Sequence, residues 1–281
     1  MSAASRMAGA RRELPASWHI PYSAHVSPHV VTTDVGDYVQ VFRLAGLAFE
    51  TADDEDLNNW HERLAIAWRN IASPHLALWT HTIRRRESIV QSGARCVGFA
   101  EGLADKYRKR LSGETLMVNE LFLSLVYRPV PGLATGTLAR MLVNRAGEKS
   151  AAIELADSLD ACEKLSQTLL ASLARYEPDR LGIAEGGSKP RSALLEFLAR
   201  LINAEDQPIP LPHAPIADVL TTTRALFGSE TIEYRLPTKT RFAAMLGIKE
   251  YPTPTTVGMY NALLSAPFEF VLMRIPDEDD R

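Results

Sequence analysis

Cysteine is scarce in this sequence. Cys96 and Cys162 are the only two among 281 residues, and they lie far apart and form no CxxC pair. Their scarcity argues against a disulfide framework and against a cysteine-based zinc site, and it makes a reducing compartment the default expectation. The basic N-terminal residues contain no apolar segment of the kind that a signal peptide needs, so we expect none.

Long hydrophobic runs and a strong charge of one sign are also missing. No apolar run approaches the ~18 residues that a membrane-spanning helix needs. The chain has 31 Lys and Arg against 34 Asp and Glu, for a net charge of −3. Because nucleic-acid binding relies on a basic excess, we expect no direct binding of nucleic acid. Hydrophobic residues make up 46% of the chain, which is enough to form a substantial core.

Signatures of catalysis are absent as well. The sequence contains no GxxxxGK[ST], and its nearest approach, AGEKS at 146–150, lacks the upstream loop that surrounds a phosphate. His61 and Glu62 begin an HExxH pattern, but Ala65 stands where the second zinc ligand belongs. GxSxG, SxxK and GxGxxG do not occur. We therefore predict no catalytic, nucleotide-binding or metal-binding residue and no cofactor for this chain.

Two weaker patterns could still bind a ligand. GGSKP at 186–190 could form an anion-binding nest before a helix, although a bare loop-to-helix junction explains the same residues. His19, His25 and His29 are spaced widely in the N-terminal segment and are expected to be surface residues rather than metal ligands.

Periodicity in the first third of the chain predicts a hairpin, a helix and a strand. Residues 29–33 and 37–44 are β-prone on either side of DVGD, whose glycine suits a tight turn. Residues 51–71 form an amphipathic helix, with a capping box at Thr51 and acidic residues in its first turn. LALWTHTI at 76–83 is predicted to be a strand that runs into three arginines.

LMVNELFLSLVYRPV at 116–130 is the plainest strand in the sequence. Both of its alternating faces are apolar in the middle, so we expect a central position in a sheet. Glu120 and Arg128 stand at its ends, roughly 26 Å apart by the rise per residue, which is too far for one catalytic site. Each charge is therefore expected to find water or a partner of its own.

The remaining elements alternate less regularly. A long helix is predicted over 148–176, a second helix from Pro190, and an extended segment over 207–215. We predict further elements towards the end, namely strands at 232–236, 241–251 and 268–275 and a short helix at 259–264. This order predicts an α+β fold, a mainly antiparallel sheet with helices packed on one face, and a ferredoxin-like centre is one arrangement that it allows.

The domain prediction has three parts. Residues 1–28 form an extended N-terminal arm, residues 29–275 form the α+β domain, and residues 276–281 form an acidic tail. A division of the α+β domain into two lobes meeting near 181–215 is a second option.

Two basic clusters are the candidate partner contacts. A solvated surface is the plainer explanation for both, and contact with an acidic partner or a membrane surface is the alternative. The candidate residues are Arg84, Arg85, Arg86, Lys106, Arg108, Lys109 and Arg110.

Several long segments together resemble the N-terminal domain of the CagE/TrbE/VirB ATPases of type IV secretion systems. The resemblance is carried in order by DYVQVFRLAGLAFETADDEDLNNW (37–60), LALWTHTIRRR (76–86), LMVNELFLSLVYRPV (116–130), SALLEFLARLIN (192–203) and MLGIKEYPTPTTVGMYNALLSAPFEFVL (245–272). It covers about residues 18 to 272, and the final residues depart from the family pattern.

The resemblance implies a docking and assembly domain without catalysis, at the cytoplasmic face of the bacterial inner membrane. Its implied partners are inner-membrane components of the secretion system and other copies of the ATPase, and peripheral membrane association is compatible with it. In the family a RecA-like motor follows, so ATP and Mg are expected only through a motor domain that these residues lack. The alternatives are a fragment of an ATP-hydrolysing motor, or a regulatory subunit of the full-length ATPase.

Overall fold

The structure is a computed structural model, and it describes residues 14–48, 52–87, 98–112, 116–129, 148–184, 189–248 and 261–274. The α-helices of these residues are α1 Asp54–Ile71, α2 Phe99–Ser112, α3 Glu148–Ser172, α4 Ala193–Asn203, α5 Ile216–Leu220 and α6 Asn261–Leu264. The strands are β1 Tyr22–Ser27, β2 Val30–Thr33, β3 Tyr38–Leu44, β4 Leu76–Glu87, β5 Leu116–Tyr127, β6 Pro178–Arg180, β7 Ile183–Ala184, β8 Arg191–Ser192, β9 Arg224–Phe227, β10 Ile232–Arg235, β11 Thr240–Ala243 and β12 Phe270–Arg274.

The chain folds as two compact units, and each is discontinuous in sequence. The first contains the described residues of 1–78 and 123–248, and the second contains those of 79–122 and 249–281. Strands β4 and β5 each contribute one part to each unit. The helices and the mainly antiparallel strands confirm the predicted α+β class.

The sheet of the first unit has the strand order β1-β2-β3-β5, and β6 also pairs with β3. The predicted hairpin is confirmed, because β2 and β3 pair antiparallel and Gly36 in their turn has a φ of 86°. Only glycine adopts such a backbone at little cost. Strand β1 pairs antiparallel with β2, so residues 22–27 of the predicted extended arm are a strand of the sheet.

The main core of the first unit lies where α1 and α3 pack on β3 and β5. Its buried members are Phe42, Ile71, Leu123, Leu125, Leu169 and Leu173. Gln40, on the same face of β3 as Phe42, is also buried, and its side-chain amide donates to the Cys162 carbonyl at 3.1 Å. The opposite face of β3 is covered too, since Val39 and Val41 are buried.

Helix α4 begins at Ala193, three residues later than the predicted start at Pro190. Arg191 pairs with Ala184 between β8 and β7, and this pairing holds the segment extended. Ser192 then caps the helix, because its hydroxyl oxygen accepts from the Leu195 amide at 3.2 Å. The helix therefore starts where a side chain satisfies its first amides, rather than at the proline.

Asn203, the last residue of α4, joins three elements of the first unit. Its side-chain amide donates to the carbonyls of Ala199 and Leu220, and its oxygen accepts from the amide and the hydroxyl of Thr223. A buried amide with all of these partners fixes the end of α4 against α5 and the start of β9.

In the second unit, β4 lies between β5 and β12. Strands β4 and β12 pair antiparallel, with Phe270 opposite Arg84 and Arg274 opposite Thr80. Strand β4 ends at Glu87, beyond its predicted end at Ile83, so the three arginines are strand residues. Helices α2 and α6 belong to the same unit.

Several other predictions meet the structure directly. Helices α1 and α3 confirm two predicted helices, and β5 is central as predicted, since residues 122–125 are all buried. The lobe boundary suggested near 181–215 falls wholly inside the first unit. The proposed cap Thr51 and the tail 276–281 lie outside the described residues.

Replacing Leu125 by alanine should destabilise the protein by about 2–5 kcal/mol, because a fully buried leucine leaves a cavity among close-packed side chains. The free energy of unfolding, measured by urea titration, tests this. Leu246→Ala serves as the matched control at an exposed position and should change stability by less than about 0.5 kcal/mol. Equal effects of the two substitutions would contradict the core assignment.

Candidate interaction surfaces

Arg84, the first of the candidate contact residues, is used inside the second unit. Its side chain is buried, its Nε donates to the Ala266 carbonyl at 2.6 Å, and its Nη1 donates to the Asn119 side-chain oxygen at 2.9 Å. A guanidinium held this way cannot also serve an outside partner without breaking buried hydrogen bonds.

Asn119 extends this network to the end of helix α6. Its side-chain amide donates to the Leu264 carbonyl at 3.0 Å, two residues before the carbonyl that Arg84 binds. The last carbonyls of a helix need such partners. The Arg86 backbone amide donates to the Glu269 carboxylate at 3.0 Å, so the segment 261–274 is bound to β4 and β5 at several points.

Arg85 forms a two-pronged ion pair with Glu120. Its Nε and Nη2 donate to the two carboxylate oxygens at 3.0 and 3.1 Å, and Glu87 is a second carboxylate partner. Hydrogen bonding to Glu120 raises the pKa of Arg85, although partial burial opposes the shift. Arg85 is therefore engaged within its unit, whereas the Arg86 side chain is exposed.

Arg128, at the other end of β5, has partners of its own in the first unit. Its Nε lies 3.6 Å from an Asp37 carboxylate oxygen, and its backbone carbonyl lies 2.8 Å from the His75 ring. The expectation that Glu120 and Arg128 each find water or a separate partner is confirmed, since Glu120 binds Arg85 and Arg128 lies beside Asp37.

Helix α2 carries the other four candidate contact residues, and all four are exposed. Arg108 forms an ion pair with Asp105 at 2.7 Å, three residues earlier on the helix. Such exposed pairs are worth little and leave the charge accessible to another anion. These residues remain candidates for contact with a partner.

The same helix carries a row of exposed apolar side chains that the sequence analysis did not single out. Phe99, Leu103 and Tyr107 are 88%, 59% and 54% exposed, and their spacing of four places them on one face. We call these three residues the α2 apolar row. The four-residue spacing of these side chains could have indicated an apolar helix face. Residues 87–115 as a whole, however, have weak periodicity and no strong cap.

A second group of exposed apolar residues lies in the first unit, on and after β11. Phe242, Met245 and Leu246 are 71%, 85% and 93% exposed. Strand β11 is an edge of the three-stranded sheet β11-β10-β9. We call Phe242, Met245 and Leu246 the β11 apolar segment. An exposed apolar group at a sheet edge is typical of a protein interaction site.

Two of the three histidines of the N-terminal segment, His25 and His29, are half-buried and have hydrogen-bond partners in the first unit, whereas His19 is exposed. His25 lies 2.9 Å from the Ser192 hydroxyl, and His29 lies 3.1 Å from the Leu181 carbonyl. Within these segments no cluster of three or more His, Cys, Asp or Glu side chains could hold a metal ion. Most of the candidate anion nest at 186–190 lies outside the described residues.

Among the described helices, none is both long enough and apolar enough to cross a lipid bilayer.

Two family models match this chain. Residues 29–134 match the N-terminal domain of the type IV secretion system ATPase VirB4/TrbE. Residues 179–277 match the CagE, TrbE, VirB family, described as a component of the type IV transporter system. The first range contains β2 to β5 and the second contains β7 to β12, so each range includes residues of both units.

Curated relatives extend the match across nearly the whole chain. The chain is 37% identical over 263 residues to the type IV secretion system protein virB4 of Bartonella henselae, covering 93% of this chain and 33% of the relative. It is 35% identical over 263 residues to the protein of the same name in Brucella suis, covering 90% and 31%. It is 32% identical over 267 residues to type IV secretion system protein PtlC of Bordetella pertussis, covering 94% and 32%.

The matched family models and relatives are all described as components of type IV secretion systems. The chain belongs to the CagE, TrbE, VirB family and corresponds to the N-terminal region of its ATPases, as the resemblance predicted. It spans about a third of the length of the curated relatives that it matches.

The pair of Arg85 and Glu120 should be worth about 1–2 kcal/mol in a double-mutant cycle, because its two hydrogen bonds are charge-assisted and its side chains are mostly shielded from water. The variants are Arg85→Gln, Glu120→Gln and their combination, and the measurement is the free energy of unfolding. Arg43 and Asp179, an exposed pair at 2.9 Å, provide the control cycle, with an expected coupling below about 1 kcal/mol. Equal coupling energies for the two pairs would show that shielding from water does not strengthen the pair of Arg85 and Glu120.

His81 should make the stability fall in mild acid. Burial lowers its pKa from 6.5 to about 4, so the folded state keeps the ring neutral while the unfolded chain takes up a proton below pH 6.5. The free energy of unfolding is therefore unaffected by this ring above pH 6.5. It should fall by about 2 kcal/mol by about pH 5.

Urea titrations near neutral pH and at about pH 5 measure this loss. His81→Leu should remove most of it, and the exposed His61→Leu is the control for replacing a histidine. An unchanged acid response in His81→Leu would assign the loss to other groups.

Proposed function

We propose that this chain is a docking and assembly module of a type IV secretion ATPase, with no catalytic residues of its own. Membership of the family and correspondence to its N-terminal region support the secretion role. Arg84, Arg85 and Arg128 are each engaged with partners inside their own unit, and within the described residues no group of three or more His, Cys, Asp or Glu side chains could hold a metal ion. A scaffold is the function that this arrangement supports.

The observation that carries the proposal is the β11 apolar segment. Met245 and Leu246 are almost fully exposed, and they follow β11, whose one sheet neighbour among the described strands is β10. Covering large apolar side chains with a partner stabilises the complex, because apolar surface is removed from water. An edge strand also offers backbone groups for pairing. We assign this segment to contact with an inner-membrane component of the same secretion system.

Under this proposal the protein works at the cytoplasmic face of the inner membrane. ATP hydrolysis would then belong to parts of the longer relatives beyond the region that they share with this chain, and ATP and Mg would bind there. Within the printed sequence, the lack of a GxxxxGK[ST] supports that division of labour.

Capture of detergent-solubilised inner-membrane components of the secretion system by the purified 281-residue chain tests the docking role. Met245→Ser combined with Leu246→Ser should reduce capture at least about tenfold, because central apolar contacts dominate interface energies. Ile153→Ser, which changes an exposed apolar residue elsewhere in the first unit, should leave capture unchanged.

Two results would overturn the proposal. One is that the chain captures none of these components. The other is that it hydrolyses ATP at a rate that survives removal of contaminants, which would make the chain an enzyme.

A further inference from the structure

A group of buried polar atoms lies between β3, β6 and α3, inside the first unit. Gln40 of β3 and Ser166 of α3 are both fully buried, with 0% of each residue exposed. Three atoms have no hydrogen-bond partner among the described residues, namely the Gln40 side-chain oxygen, the Ser166 hydroxyl and the Nε of Arg180. Because buried polar atoms in folded proteins are nearly always hydrogen-bonded, these three atoms require a partner.

The three atoms lie around one turn of α3. The Gln40 side-chain amide donates to the Cys162 carbonyl at 3.1 Å, so the oxygen of the same amide lies beside that turn. Ser166 comes four residues after Cys162, and its side chain therefore leaves the same face of the helix. The Nη1 of Arg180 donates to the Glu163 carboxylate at 2.7 Å, which holds the guanidinium against the same turn.

The pairing of β3 with β6 also places Arg180 near Gln40. Arg180 lies opposite Phe42, which is two residues from Gln40 on the same face of β3. Residues in such a diagonal pair are about 7–8 Å apart, within the reach of long side chains. Burial raises the pKa of the Cys162 thiol to about 11, and both Gln40 and the charge of Arg180 oppose that shift, as groups close to the thiol would.

The Cys162 carbonyl is not available to the Ser166 hydroxyl. A serine within a helix often donates to the carbonyl four residues earlier. Here that carbonyl already accepts from the Gln40 side chain and, as in any α-helix, from the Ser166 backbone amide. A carbonyl oxygen has two lone pairs, and both are used. The hydroxyl therefore needs a different partner.

The chemistry of the three atoms identifies that partner. The Gln40 oxygen can only accept a hydrogen bond, the Arg180 Nε can only donate one, and the Ser166 hydroxyl can do either. A simple anion such as chloride cannot donate to the Gln40 oxygen, and a metal cation cannot accept from the Arg180 Nε. A water molecule does both, and a buried water typically makes about three hydrogen bonds to polar groups of this kind.

We propose that a buried water molecule binds between β3, β6 and α3, where it donates to the Gln40 side-chain oxygen, accepts from the Arg180 Nε and bonds to the Ser166 hydroxyl. The water joins the strand pair to the helix at a point where these side chains have no direct bond. The site lies in the core of the first unit and does not depend on the docking proposal, which concerns exposed residues.

A high-resolution crystal structure of the 281-residue chain tests the inference directly. We expect one density peak at about 2.7–3.2 Å from each of the three atoms, namely the Gln40 oxygen, the Arg180 Nε and the Ser166 oxygen. The inference is overturned if no such peak is present while ordered waters are visible elsewhere. It is also overturned if the Gln40 oxygen and the Ser166 hydroxyl bond directly to protein groups instead.

A double-mutant cycle tests the same bridge in solution. Gln40→Leu and Ser166→Ala each remove one partner of the water, so the second substitution should cost less once the first has been made. We expect the double variant to change the unfolding equilibrium constant at least about threefold less than the product of the two single changes. If Gln40→Leu does not fold, Arg180→Met takes its place, because its Nε is assigned to the same water.

Ser158→Ala combined with Ser166→Ala is the matched control cycle. Both are buried serines of α3, but eight residues separate them, which is about 12 Å along the helix. Their effects on the unfolding equilibrium constant should therefore multiply. If the effects of Gln40→Leu and Ser166→Ala multiply in the same way as those of the control, no shared water joins the two residues and the inference fails.

Discussion

Four consecutive side chains of β5, from Phe122 to Leu125, are buried, so water reaches neither face of this strand at its middle. A strand in that position tolerates charge only at its ends. Glu120 precedes the buried stretch and Arg128 follows the strand, and each has a partner of opposite charge in its own unit. The positions of Glu120 and Arg128 therefore follow from the burial of the middle of β5, which leaves charged residues only outside it.

The same constraint explains how the three arginines of β4 differ. Successive residues of a strand point to opposite faces, so neighbours in a basic cluster meet different surroundings. Arg84 reaches the carbonyl of Ala266 and the side chain of Asn119, whereas Arg85 binds Glu120. A basic cluster on a strand should therefore be examined residue by residue, while one on an exposed helix such as α2 can act together.

The parts of the fold that the sequence predicted are those with strong local periodicity. The turn at Gly36, the apolar spacing of α1 and α3 and the two apolar faces of β5 each specify their own structure. The short strand β6 depends on pairing with the distant strand β3, which no local pattern records. Strands β1 and β9 pair with the next strand along the chain, but they are too short to show a clear alternation of their own. The start of α4 was misplaced because the pairing of Arg191 with Ala184 holds the residues after Pro190 extended. For the interaction surfaces, the sequence indicated the basic residues of α2 but could not show that Phe99 or Leu246 would stay exposed.

The hydrogen bond between Arg84 and the Ala266 carbonyl joins residues 182 positions apart. Together with the pairing of β12 on β4, it places the last described strand of the second unit beside one of the earliest. A ribosome makes about 5–20 residues each second, so the early strands wait roughly ten seconds or more for the segment that completes them. During synthesis the edge of β4 that β12 later covers is open to pairing with other chains. The second unit can therefore be completed only after its segment 261–274 has been made, because that segment pairs with residues of 79–122 that are synthesised much earlier.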